Sequence, residues 1–114
     1  MRIISGKFKN KKLFFSKNFK TRPLKDRVRE NIFNILGHSK NTNINLKNSC
    51  VLDIYAGVGS FGLECISRGA KKILFIENDS DALLNLKKNI VSLKIENQSK
   101  ILANDAIKFF QDIK

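Results

Sequence analysis

Long apolar runs are missing from this chain. None approaches the ~18 residues that a membrane-spanning helix needs, so no segment of the sequence reads as one. The opening Met1-Arg2-Ile3-Ile4-Ser5-Gly6-Lys7 carries charge with no apolar stretch behind it, unlike a secretory signal. Cysteine occurs only at Cys50 and Cys65, too few for a disulfide framework or a zinc site. Both read as small buried apolar residues of a protein kept in a reducing cytoplasm. The single histidine, His38, follows a helix end in a polar stretch and reads as a solvated residue rather than a catalyst. At 114 residues and 42% apolar content the chain is one small domain, with enough apolar material for a core.

Acidic residues are also scarce: 10, against 22 lysines and arginines, for a net charge of +12. The imbalance is concentrated. Residues 1–40 hold 12 basic residues and two acids, Asp26 and Glu30, whereas residues 41–114 hold 10 basic and 8 acidic. Abundant Lys, Ile and Asn point to an AT-rich coding bias, which raises lysine everywhere and so does not explain the asymmetry. A positive block attached to a near-neutral remainder is the footprint of a polyanion binder. A solvated basic face is the bland alternative.

Residues 1–22 interleave basic residues with Phe8, Phe14, Phe15 and Phe19, which predicts one or two short hairpins with a cationic face. Thr21-Arg22-Pro23 breaks that pattern. Val28, Ile32, Ile35 and Leu36 then recur at helical spacing, predicting an amphipathic helix within 23–37, capped by Asp26 or opened by Pro23 and closed by Gly37. Residues 38–49 are polar and Asn-rich, a linker. From residue 50 onward strand-like and helix-like patterns alternate. Cys50 to Ile54, Lys72 to Ile76 (ending at Glu77) and Ser99 to Ala103 read as strands. Ser60 to Arg68 (closed by Gly69), the stripe Leu83, Leu86, Ile90, Leu93 (capped by Asp79 or Ser80) and Ala106 to Ile113 read as helices. Strands alternating with helices mean parallel βαβ units and an α/β fold. No internal repeat is visible.

The chemistry is concentrated in one turn. Gly57, Gly59 and Gly62 spell G-x-G-x-x-G between a strand and a helix, where glycines let the backbone turn tightly and approach a ligand. The following helix presents its positive N-terminus. Glu77 lies 20 residues after Gly57, at the end of the next strand, where a carboxylate accepts hydrogen bonds from a ribose diol. A tight structural turn is the simpler alternative. Asp53, four residues before Gly57, would repel a pyrophosphate but suits the cationic ammonium and sulfonium of S-adenosylmethionine. It tilts the reading from NAD to that cofactor. Asp105, at the end of the third strand, reads equally as an acceptor for an adenine amino group and as a helix cap. Tyr55 beside the glycine turn reads as packing.

These residues resemble a known family. Met1 to Lys9, Arg22-Pro23 with Asp26-Arg27-Val28-Arg29-Glu30, and Asn34-Ile35-Leu36 look like the start of the bacterial 16S rRNA guanine-N2 methyltransferases (RsmD-like). Val51 to Glu64, with Ser67-Arg68-Gly69-Ala70, is similar to their cofactor loop. The resemblance runs through the whole chain and matches only the N-terminal portion of that family. It implies a class I S-adenosylmethionine-dependent methyltransferase (Rossmann-like) fold, truncated after the third strand. The activity it implies is methyl transfer to a guanine exocyclic amine. Asp53, Gly57 and Gly59 would line the methionine end of the cofactor, Glu77 would hold the ribose, and Asp105 would approach the adenine. Arg22, Pro23 and Asp26 to Arg29 match a segment expected to close over the methionine end, and Arg2, Lys7, Lys9, Lys11 and Lys12 would hold RNA. The partner implied is small-subunit rRNA or an assembling small ribosomal subunit, in the cytoplasm and not at a membrane. Leu24 and Val58 depart from the family's usual Thr and Ser/Thr.

Proline scarcity matters at this point. The family's Asp/Asn-Pro-Pro-Tyr/Phe motif, which holds and stacks the target base, needs two adjacent prolines, and Pro23 is the single proline. No residue is therefore assigned a catalytic role. Val51 to Ile54 is expected to become an apolar edge strand. A truncated reading frame or one half of a split protein, complemented by a C-terminal segment, would explain both expectations; such a chain would be poorly stable and inactive alone. A non-catalytic RNA-binding module, an NAD-binding oxidoreductase fragment and the cofactor half of a DNA methyltransferase are the competing readings.

Overall fold

The computed structural model describes residues 1–15, 26–38 and 45–112. Helix Asp26–His38 (α1) precedes three strands, Cys50–Ile54 (β1), Lys72–Glu77 (β2) and Ser99–Ala103 (β3). Helices Ser60–Ser67 (α2) and Ser80–Leu93 (α3) are the crossovers between them, and Ala106–Asp112 (α4) follows β3. The strands form one parallel sheet in the order β1-β2-β3, with Val51 opposite Ile73 and Ile73 opposite Ser99. The α/β alternation expected from residue 50 onward is what the chain adopts.

Alternation along the strands decides which face is covered. Asp53, Ile73 and Phe75 point toward α2, so closely that a Cβ at Gly62 would lie 2.1 Å from Ile73 Cδ1 and 2.5 Å from Phe75 Cε1. Leu63, Phe75, Leu86, Ile90 and Leu93 join the core on this side. On the opposite face Cys50, Leu52 and Ile54 of β1 are exposed, Leu52 to 43%. Among the described residues β1 is hydrogen-bonded to β2 alone, so it is the apolar edge strand expected from its sequence.

Several local expectations need correction. Of the stripe expected in helix α1, Ile32 and Leu36 are half-buried, whereas Val28 and Ile35 are 43% and 63% exposed; the fully buried residues of this helix are Arg29 and Phe33. Phe33 stacks on Phe61 of α2 at 4.9 Å, with the Arg68 guanidinium 4.5 Å from the Phe33 ring centroid. Aromatic stacking and ion pairing therefore turn the face centred on Arg29 and Phe33 inward and leave Val28 and Ile35 outside it. The helix also continues through Gly37 to His38. Among residues 1–15 the expected hairpin strands reduce to a single antiparallel bridge, Arg2 with Lys12, because Gly6 to Asn10 form a turn that docks on α2. Cys65 is buried as expected, but Cys50 is exposed because it starts the edge strand. Arg22 and Pro23, and residues 39–44 of the proposed linker, lie outside the described residues.

Candidate functional site

Parallel register places the carboxyl ends of the three strands side by side, with Ile54 opposite Ile76 and Glu77 opposite Ala103. In open α/β sheets this is the end at which ligands bind. After β1 the chain reverses through Tyr55, Gly57 and Gly59, all at positive φ (59°, 60° and 91°). Tyr55 is the unusual member, since a Cβ makes that region costly. Tyr55 is mostly exposed rather than packed, contrary to the expectation from sequence.

The glycines serve different purposes. Gly59 lies against α3, where a Cβ would meet Leu86 Cδ1 at 2.4 Å. Gly62 permits the close contact of α2 with β2 described above. Around Gly57, by contrast, no heavy atom would come within 4 Å of a Cβ, so this side of the turn faces open space.

Two carboxylates organise the turn. Glu77 Oε1 accepts from the Gly57 N–H at 2.7 Å, and its Oε2 accepts from the N–H groups of Asn78 (3.0 Å) and Asp79 (2.9 Å). The side chain is thereby fixed beside the open side of Gly57, with a lone-pair site still free on Oε1. Asp53 is buried and its Oδ2 accepts from the Gly62 N–H at 3.0 Å. Burial raises its pKa from 3.8 to about 6, the Gly62 hydrogen bond opposes that rise, and the Glu77 charge adds to it. Asp79, not Ser80, caps α3 by accepting from the Ala82 N–H. Asp105 is exposed and its Oδ1 accepts from the Lys108 N–H at 3.1 Å, the bond expected of a helix cap.

Asp53, Gly57, Gly59 and Glu77 thus meet at one turn, and Asp105 follows the neighbouring strand. Asp26 joins a different cluster. It pairs with Arg29 at 3.0 Å and with Arg2 at 3.6 Å. Arg29 and Glu64 are both fully buried, 3.6 Å apart, and Arg68 pairs with the same Glu64 at 2.8 Å. The Arg29 guanidinium also donates to the Arg2 carbonyl. Burial lowers the Arg29 pKa, while Glu64 and Asp26 pull it back up. Burial, Asp53 and Glu64 push the Cys65 thiol up to about 12, so it stays protonated and is no nucleophile.

Glu64 also holds the basic N-terminal turn. It accepts from the Ile4 N–H at 2.9 Å and the Ser5 N–H at 3.0 Å. Ser67 completes the seat, accepting from Lys7 N–H on its carbonyl and from Phe8 N–H on its hydroxyl. Gly6 is required here, since its φ is +88° and a Cβ would lie 2.0 Å from the Ser67 carbonyl oxygen. Lys7, Lys9, Lys11 and Lys12 are left exposed, while Arg2, also exposed, is engaged by Asp26 and Asn10. Sequence reasoning missed Glu64, Ser67 and Asn89 as site-building residues. Their signal is a polar side chain on the inward face of an amphipathic helix, where burial demands a partner.

The family described as conserved hypothetical protein 95 matches residues 1–114. The chain is 36% identical over 112 residues to the Ribosomal RNA small subunit methyltransferase D of Haemophilus influenzae, covering 97% of this chain and 55% of that protein. It is 36% identical over 109 residues to the protein of the same name from Escherichia coli (strain K12), covering 96% and 52%. The solved structure of yhhF from Escherichia coli, described as a methyltransferase, superposes with a TM-score of 0.79 at 32% identity, covering 96% of this chain and 55% of that one. The chain therefore spans about half the length of the relatives it matches. Its sheet and helices are a partial class I methyltransferase fold of the Rossmann-like type. The chain belongs to the conserved hypothetical protein 95 family, the family of the small-subunit rRNA methyltransferase D proteins.

Proposed function

We propose that this chain is the cofactor-holding and RNA-contacting portion of an S-adenosylmethionine-dependent enzyme that methylates a guanine exocyclic amine in small-subunit rRNA. The observation that carries this reading is the pairing of Glu77 with Gly57. A carboxylate anchored by three main-chain N–H groups stands at a strand end beside a main-chain surface open enough for a ligand. Those residues fit a nucleoside cofactor. Glu77 would accept from a ribose hydroxyl at Oε1 and the open side of Gly57 would admit the cofactor. Asp53, partly neutral near pH 6, would favour its cationic methionine end once ionised. When bound, that cofactor supplies an electrophilic methyl group on a sulfonium.

The part played by this chain's own residues is orientation. Guanine-N2 is a weak nucleophile, so the reaction depends on holding it in line with the methyl and stabilising the charge that develops. The exposed lysines 7, 9, 11 and 12 would hold the phosphate backbone while the glycine turn fixes the other reactant. Residues 1–114 hold one proline and hence no Asp/Asn-Pro-Pro-aromatic run. Methyl transfer would therefore require a complementing C-terminal segment carrying that motif, and these residues alone would bind without turning over.

Calorimetric titration with S-adenosylmethionine tests the reading. The chain should bind it, and Glu77→Ala should weaken binding by roughly tenfold or more, the worth of a hydrogen bond to a charged acceptor. Glu77→Gln keeps the shape but has one acceptor oxygen in place of two, and should also weaken binding. Unchanged affinity in both folded variants would sink the assignment of Glu77.

A further inference from the structure

Helix α3 touches the glycine turn at two residues one helical turn apart. Leu86 supports Gly59. Three residues later comes Asn89, which is 1% exposed. Its Nδ2 donates to the Val58 carbonyl at 2.9 Å and to the Phe14 carbonyl at 3.1 Å. Its Oδ1 accepts from the Phe14 N–H at 2.6 Å. One side-chain amide therefore satisfies both main-chain polar groups of Phe14, as an adjacent strand would, and also grips the turn between Gly57 and Gly59.

The basic segment is consequently held at both ends. Glu64 and Ser67 seat its first half on α2, and Asn89 seats its second half on α3. The two seats differ in one respect: among the described residues, Asn89 also bonds the carbonyl of a glycine-turn residue. Any change in the position of Phe14 must be absorbed by that amide. A buried amide that moves with Phe14 either drags the Val58 carbonyl or leaves it unpaired, and an unpaired buried carbonyl is costly.

We propose that Asn89 is a positioning residue that couples the two halves of the site: engagement of the basic segment by RNA sets the conformation of the glycine turn through the Phe14–Asn89–Val58 link, and so raises affinity for the cofactor. The inference rests on the reading that the glycine turn holds S-adenosylmethionine and the lysines before residue 13 contact RNA. Coupling of this kind is reciprocal, so cofactor must tighten RNA binding by the same factor.

The test measures affinity of the 114-residue chain for S-adenosylhomocysteine, with and without a saturating short single-stranded RNA of mixed sequence at low salt. The wild-type chain should bind the nucleoside roughly fivefold or more tightly when RNA is present. In Asn89→Ala that ratio should fall to near one. Leu93→Ala truncates the core on the same helix away from the turn and should lower stability while keeping the ratio, which separates positioning from mere destabilisation. Hydrogen exchange of the residue 57–59 amides provides a readout independent of cofactor: RNA alone should protect them in wild type and not in Asn89→Ala. A wild-type chain that binds both ligands with a ratio near one, or an Asn89→Ala chain that keeps the ratio and the protection, overturns the proposal. A wild-type chain that binds RNA but no S-adenosylhomocysteine overturns the cofactor reading, and with it the claim that the link tunes cofactor affinity.

Discussion

Asp53 should make the stability of this chain depend on pH in a direction opposite to that of most carboxylates. It is 8% exposed, and burial outweighs the single hydrogen bond from Gly62, raising the pKa from 3.8 to about 6. A raised acid binds its proton more tightly when folded than when unfolded. Its favourable contribution is therefore complete below about pH 4 and is lost as pH rises through about 6. The difference corresponds to about 3 kcal/mol, a large share of the roughly 5–15 kcal/mol that stabilises a typical domain. Asp53→Asn removes the titration while keeping an oxygen able to accept from the Gly62 N–H. Urea denaturation followed by circular dichroism, on both proteins between pH 4 and 7, isolates the effect, because the repulsion among the many positive charges is common to both. The variant should gain about 2.5 kcal/mol on the wild type across that range, most of it between pH 4 and 6. A difference that stays flat within about 0.5 kcal/mol would refute the burial argument, since no other titrating group distinguishes the two chains.

Other expectations follow from the packing. Gly62→Ala would drive a methyl to within 2.1 Å of Ile73 and 2.5 Å of Phe75, and should cost about 1–3 kcal/mol in a urea titration; an unchanged midpoint would mean that α2 does not lie so close to the sheet. Glu64→Gln leaves the buried Arg29 without its buried counter-charge and should cost about 3–5 kcal/mol, with faster hydrogen exchange at Ile4 and Ser5 as its local signature. Leu52→Lys places a charge on the uncovered face of the edge strand and should leave the melting temperature near that of wild type while reducing self-association measured by sedimentation. If the wild-type chain sediments as a monomer at high concentration, that surface is not adhesive and the expectation fails.

What was legible in the sequence was local. The strands around Val51, Ile73 and Ile101 and the turn at Gly57 to Gly62 declare themselves through patterns a few residues long. Helix α3 was visible for the same reason, with Leu86, Ile90 and Leu93 buried as its spacing required. Polar residues were harder. Arg29 sits on a helix two of whose aliphatic residues, Val28 and Ile35, are exposed, and its burial depends on Glu64, distant in the chain. Asn89 resembles any solvent-facing amide until Phe14 and Val58 are brought to it. Cys50 was misjudged because its burial depends on a strand neighbour that its own sequence context does not reveal. Periodicity reports which residues seek an interior, and it is silent on which polar residues the finished interior requires.

The seats of the N-terminal segment have a consequence in time. Ile4 is held by a residue 60 positions further along, Phe8 by one 59 positions along, and Phe14 by one 75 positions along. A ribosome extends the chain at roughly 5–20 residues per second, so residues 4–14 are made several seconds before the α2 and α3 residues that receive them. Through that interval the lysines of the opening segment have no surface of their own chain to rest on. A segment made before the helices that seat it is thus put in place only after them.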